Sequence, residues 1–155
     1  MSDAEDVADL RALRLRLAVG SRYRGPVGTV MLVARLGTSP AELLDVLVDP
    51  ERHAALVKHP VALQAAAGSG VDLGPDEGDG YLMELIEGSH VTFALHPSSF
   101  PEGHYATTTF LTKANPDGGS TLTLYQQNVP ADLLAEVRQA WDRDYLKPLE
   151  SAYPS

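Results

Sequence analysis

The sequence predicts an α+β fold in which a curved antiparallel sheet wraps one long C-terminal helix. Three observations predict it. Apolar residues Leu133, Val137, Trp141, Tyr145 and Leu149 recur at every fourth position, which draws a single greasy stripe along an α-helix. The segment before that helix reads mainly as short strands joined by turns. Two short helices with strong start signals follow the first strand. A long helix with one apolar stripe needs a broad surface to lie on, and the strands supply it.

Length and composition set the frame. The 155 residues suit one domain with a core of its own, and an apolar content of 44% excludes disorder of the whole chain. There are no cysteines, which excludes disulfides, thiolate metal sites and cysteine nucleophiles. A formal charge of −9 argues against a nucleic-acid partner, which needs a basic face. No basic leader precedes an apolar run, and no apolar stretch approaches the roughly 20 residues that span a bilayer. A cytoplasmic domain with no membrane partner is expected.

Taken in order, residues 1–28 form an N-terminal extension. Val7, Leu10, Leu13 and Leu17 fit a helical stripe, whereas Leu13-Arg14-Leu15-Arg16-Leu17 alternates as a strand does. Both readings stay open, and a strand over 13–19 would offer an edge for a homodimer. Thr29 to Leu36 is rich in β-branched residues between Gly28 and Gly37 and reads as a strand. Ser39-Pro40-Ala41-Glu42 is a capping box, so a helix runs to about Val48. Asp49-Pro50-Glu51 repeats the signal for a second helix to Val57. Val61 to Ala66 suggests a strand, and the glycine-rich, acidic Gly68–Gly80 a mobile lip.

Tyr81–Glu87 and His90–His96 flank Gly88-Ser89, the signature of a two-residue type II′ hairpin. Tyr105–Lys113 and Thr121–Val129 flank the strong turn Asn115-Pro116-Asp117-Gly118-Gly119. The final helix covers Leu133–Leu149, with Asp132 and Lys147 suiting its dipole and Pro148 marking a kink or an end. A meander of twisted strands curls, and the terminal helix can fill its concave side. The expected core domain, 29–150, is thus a helix-grip arrangement, followed by a tail over 151–155.

Three stretches resemble the START-like (SRPBCC) superfamily, on the branch related to the activator of the ninety-kilodalton heat-shock chaperone's ATPase. They are Leu36 to Glu51, Tyr81 to Ile86, and Gly119 to Leu124 together with Trp141 to Leu149. The second helix of this branch commonly ends near a tryptophan, where this chain reads Ala54-Ala55-Leu56-Val57. The resemblance implies the helix-grip fold. It also implies a function drawn from several classes: binding of hydrophobic small molecules, polyketide cyclase or dehydratase chemistry, or binding to chaperones.

Candidate site residues come from the expected registers. A two-residue turn at Gly88-Ser89 sets Ile86 opposite Val91, Glu84 opposite Phe93 and Leu82 opposite Leu95. Glu84 would then be one carboxylate among apolar side chains, with a raised pKa. In the closing hairpin, Leu111, Thr109, Thr107 and Tyr105 would share a face with Leu122, Leu124, Gln126 and Asn128, grading from apolar to hydrogen-bonding as a ligand pocket does. Trp141 and Tyr145 would face them from the helix. The expected function is binding of an aromatic or lipid-like molecule between sheet and helix, through Glu84, Phe93, Tyr105, Gln126, Trp141 and Tyr145.

The alternatives are an enzyme using Glu84 or Tyr105 as acid–base groups and a co-chaperone-like interaction module. No metal or cofactor is expected. The histidines have no shared-ion spacing, Asp72, Asp76, Glu77 and Asp79 fit no EF-hand loop, and the glycines form no phosphate-binding pattern.

Overall fold

A computed structural model describes residues 22–155. Its strands are β1 (Val27–Leu36), β2 (Gly70–Asp72), β3 (Asp79–Ile86), β4 (His90–His96), β5 (Ala106–Ala114) and β6 (Ser120–Pro130). They form one antiparallel sheet in the order β1-β6-β5-β4-β3-β2. Helices α1 (Pro40–Val48) and α2 (Pro50–Val57) follow β1. The C-terminal helix comprises α3 (Leu134–Trp141), a π-helical turn (Asp142–Leu146) and α4 (Lys147–Ala152). This is the α+β helix-grip arrangement expected from the sequence. The alternatives for residues 13–19 lie outside the described residues. No helix among the described residues is long and apolar enough to cross a membrane.

The start signals of both short helices act as read. Ser39 Oγ accepts from the Glu42 N–H at 3.2 Å, and Asp49 Oδ1 accepts from the N–H groups of Glu51 and Arg52 at 3.0 and 3.3 Å. The Glu42 carboxylate, expected to reach back to its own cap, instead pairs with Arg52 of α2. That ties the two helices together across their joint.

Four expectations need correction. Val61–Ala66 is not a strand: it makes a single bridge, Ala62 to Asp72. The short strand of this region is β2, inside the segment read as a lip. Ile86 pairs with His90, so the β3–β4 loop has three residues, Glu87 to Ser89, and the register moves by one. A bulge at Met83 then moves it by one more, so that Leu82 faces Phe93 rather than Leu95, while Glu84 pairs with Thr92. The β5–β6 register also moves by one, pairing Phe110 with Leu124 and Thr108 with Gln126. Finally, of the two outcomes expected at Pro148, an end of the helix is excluded, because the helix runs on to Ala152. The wider π turn just before the proline alters which carbonyls its missing N–H would have served.

The concave face of the sheet carries Leu32, Leu36, Leu82, Phe93, Leu95, Phe110, Leu122 and Leu124, and the C-terminal helix lays Val137, Trp141, Tyr145 and Leu149 against them in one buried cluster. Gly37 N–H donates to the Tyr153 carbonyl at 2.9 Å, fastening the end of the helix to the end of β1.

Candidate functional site

The underside of the C-terminal helix, where the sequence predicts a pocket, carries a cluster of buried side chains, most of them aromatic. Phe93, Phe110, Gln126, Trp141 and Tyr145 are all buried. The Phe110 ring centroid lies 5.7 Å from those of both Trp141 and Tyr145, and Trp141 and Tyr145 are 4.9 Å apart. Phe93 meets Phe110 edge-on at 6.2 Å. These separations are those of rings in contact.

Polar atoms within this cluster satisfy one another. Trp141 Nε1–H donates to Gln126 Oε1 at 3.0 Å, and Gln126 Nε2–H donates to Thr108 Oγ1 at 2.7 Å. His53 Nδ1 lies 2.8 Å from the Leu47 carbonyl, and its Nε2 lies 2.5 Å from the Tyr145 hydroxyl. A carbonyl can only accept, so Nδ1 carries the hydrogen and Nε2 accepts from the tyrosine. Burial lowers the His53 pKa to about 4 against the opposing bond to Leu47, so the ring is neutral near pH 7. Burial likewise pushes the Tyr145 phenol well above its ordinary value.

Four of the six sequence-predicted site residues, Phe93, Gln126, Trp141 and Tyr145, therefore converge. Glu84 and Tyr105 do not join them. The shifted register and the bulge turn Glu84 to the outer face, where its Oε1 lies 2.5 Å from His90 Nε2. Its carboxylate stands 43% exposed, so it is not the lone acid of a greasy pocket. Tyr105 packs with Met83, Ala94 and Tyr81 in a small separate cluster, its ring 5.5 Å from that of His96. Burial, and then the neighbouring Tyr81 and Asp79, raise its pKa.

Two residues that sequence reasoning considers only as metal ligands, and sets aside, sit at the heart of the helix junction. His53 lies three and four positions before Leu56 and Val57, a spacing that puts it on the inner side of α2 and signals burial. Glu77 carries no such signal: it sits in a glycine-rich loop among other acids, yet is only 1% exposed. It is carried inward by the turn from Leu73 to Gly78, which closes through Leu73 N–H to the Gly78 carbonyl at 2.9 Å.

Burial, then a hydrogen bond and the negative charge at Asp144, push the Glu77 pKa up to about 9. Asp144 comes from the π turn. Burial pulls its pKa upward, but bonds from Arg143 and Glu77 outweigh this and hold it below its ordinary value. Arg143 Nη2 reaches both Asp76 Oδ2 and Asp144 Oδ2 at 2.9 Å.

The outer face of the sheet has a different character. Cross-strand pairing aligns Val33, Thr123, Leu111, His90 and Ile86 in one row over five strands. Val33 is 61% exposed, Ile86 49% and Leu111 39%, with Met31 at 54% in the neighbouring row. An apolar row held open across a sheet is a surface suited to a partner. Beside the helix junction, an open groove of about 620 Å³ runs between α2 and the C-terminal helix, lined by Leu56, Val57, Lys58, Arg143, Lys147 and Pro148 among others.

Comparisons with known proteins fit this architecture. No family model matches the chain. The mouse activator of 90 kDa heat shock protein ATPase homolog 1 is 29% identical over 128 residues, which span 83% of this chain and 38% of that protein. The chain thus covers well under half the length of the curated relatives it matches. A crystal structure of an HSP90 activator from Plasmodium falciparum superposes with a TM-score of 0.75 at 17% identity, covering 81% of this chain and 97% of that one. The solution structure of the Aha1 dimer from Colwellia psychrerythraea gives 0.65 at 12% identity, covering 80% and 95%.

Proposed function

We propose that this chain, which has the START-like helix-grip fold of the branch that includes the heat-shock ATPase activators, is a protein-interaction module for an ATPase chaperone of the 90 kDa heat-shock class. One contrast carries the reading. Phe93, Phe110, Trp141 and Tyr145 are buried beneath the C-terminal helix, with the rings of Phe110 and Tyr145 in contact, while apolar side chains stand exposed along the outer sheet face. Burying that row against a partner gains about 25 cal/mol per Å² of apolar surface removed from water. Names of relatives support a chaperone as the partner.

The test is direct. The protein and the chaperone of the same cell are mixed, and both binding and ATP hydrolysis are followed. A complex that raises ATPase activity is expected; no complex at tens of micromolar of each would refute the proposal.

Binding of a hydrophobic small molecule is the second reading, favoured by the open groove between α2 and the C-terminal helix. Its volume of about 620 Å³ falls in the range typical of ligand sites, and its wall of Leu56, Val57 and Pro148 is apolar, with Lys58 on its lining to orient an acidic group. Native mass spectrometry of protein purified from its own host tests this reading, since a co-purifying compound would support it. Protein free of any adduct would leave only the chaperone reading.

A further inference from the structure

We propose that Asp76, Glu77 and Asp144 bind a hard, oxygen-preferring divalent cation of the calcium type, which pins the turn over residues 73–78 to the C-terminal helix. The three side chains come from two distant parts of the chain. Each offers one carboxylate oxygen, and those oxygens all lie within 4.8 Å of one another. Oxygen ligands about 2.4 Å from a shared calcium stand at most about 4.8 Å apart, so every pair of the three meets the spacing that a shared ion requires.

Clustered acids alone are common on protein surfaces. The second observation is Glu77 itself. It is 1% exposed, and its Oε1 is the one buried side-chain polar atom among the described residues with no hydrogen-bond partner. Such an atom forfeits the bonds water would have given it, and a cation held by the adjoining carboxylates would supply what is missing. One carboxylate oxygen of Glu77 lies within 4.8 Å of one from Asp76 and one from Asp144, so its carboxyl group stands beside the other ligands.

The donor set selects the class of ion. It contains oxygen only, with neither the sulfur nor the imidazole that zinc and copper favour. Asp76 stands on the solvent side, its side chain 60% exposed, leaving that direction open to water ligands. Calcium accepts irregular shells of six to eight oxygens, whereas magnesium demands a near-ideal octahedron. Arg143 already places a positive charge here, bonded to both aspartates. Its side chain is also 60% exposed, so it can swing aside when an ion enters. The π turn adds a residue to the helix just where Asp144 has to meet the loop, and such turns often mark functional positions.

The experiment uses the full chain after chelator treatment and follows calcium binding by calorimetry and by thermal unfolding. Wild type is expected to bind, with Tm rising on the order of 5 °C at a hundredfold excess over Kd. Glu77→Gln and Asp144→Asn, both near-isosteric, should each weaken binding at least tenfold, and Asp45→Asn on α1 should leave it unchanged. If Glu77→Gln does not fold, Asp76→Asn at its exposed position carries the same expectation. Folded wild type with neither heat nor Tm shift at millimolar calcium would overturn the site. So would a folded Glu77→Gln variant, or failing that Asp76→Asn, that binds as tightly as wild type.

Discussion

His53 couples two helices through a single imidazole, and its chemistry makes stability depend on pH. In the folded chain its pKa is about 4 against an ordinary 6.5, so between those values the unfolded chain takes up a proton that the folded chain refuses. The stabilisation tied to the neutral ring is complete above pH 6.5 and is lost as pH falls through 4. At about 1.4 kcal/mol per unit it amounts to about 3 kcal/mol. Glu77, with its raised pKa, titrates with the opposite sign over much of this range, so total stability does not isolate the effect. The difference between wild type and His53→Gln does. Urea unfolding should find wild type the more stable at pH 7, with the gap shrinking by about 3 kcal/mol at pH 4. A gap independent of pH would show that the ring does not titrate as its burial requires.

Gln126 has a comparable part inside the sheet–helix interface. It accepts from Trp141 and donates to Thr108, so Gln126→Ala strands an indole N–H in the core and opens a cavity as well. The expected loss is about 3 kcal/mol, read from the urea midpoint. The sequence signalled Gln126 as a polar group on an apolar face, which is why it stood out. It did not signal that the partner would be the chain's own tryptophan rather than a guest.

At the scale of elements, what could be read was whatever leaves a periodic or capping signature. Ser39-Pro40 and Asp49-Pro50 started α1 and α2 where expected, and the fourfold stripe from Leu133 to Leu149 faces the core. Register could not be read in the same way, because it turns on one residue of loop length. Gly88 adopts φ 71° inside a three-residue loop rather than at the first place of a two-residue turn. That single residue sends Glu84 outward. Nor does any local pattern reveal Glu77, whose burial depends on Asp144 arriving from 67 positions away.

The 73–78 turn that carries Glu77 inward is itself testable. Gly78 has φ 98°, and a Cβ there would lie 2.3 Å from the His96 carbonyl carbon. Gly78→Ala must therefore strain the backbone and push β4 at once. A loss of at least about 2 kcal/mol is expected in chemical denaturation, with the largest chemical-shift changes at β4 and the helix junction. A variant as stable as wild type would mean that the turn is free to rearrange.

For the whole molecule, the question is which surface does the binding, the inner one or the outer one. The helix-grip fold can serve either purpose, since the same curved sheet can close on a ligand or on its own aromatic side chains. In this chain buried aromatic rings line the inner face, and exposed apolar side chains lie on the outer face, where Val33 and Leu111 both pair with Thr123 from the strands on either side of it. Charging that row should separate folding from binding. Val33→Glu and Leu111→Glu replace exposed side chains, so each should change stability by no more than about 0.5 kcal/mol. A partner seated on the row would have to bury the new carboxylate, and affinity for the chaperone should fall at least tenfold. Titration calorimetry against the chaperone, with thermal unfolding as the control, distinguishes the outcomes. If both variants bind as wild type does, the outer face is not the contact, and the groove beside α2 becomes the surface to mutate next.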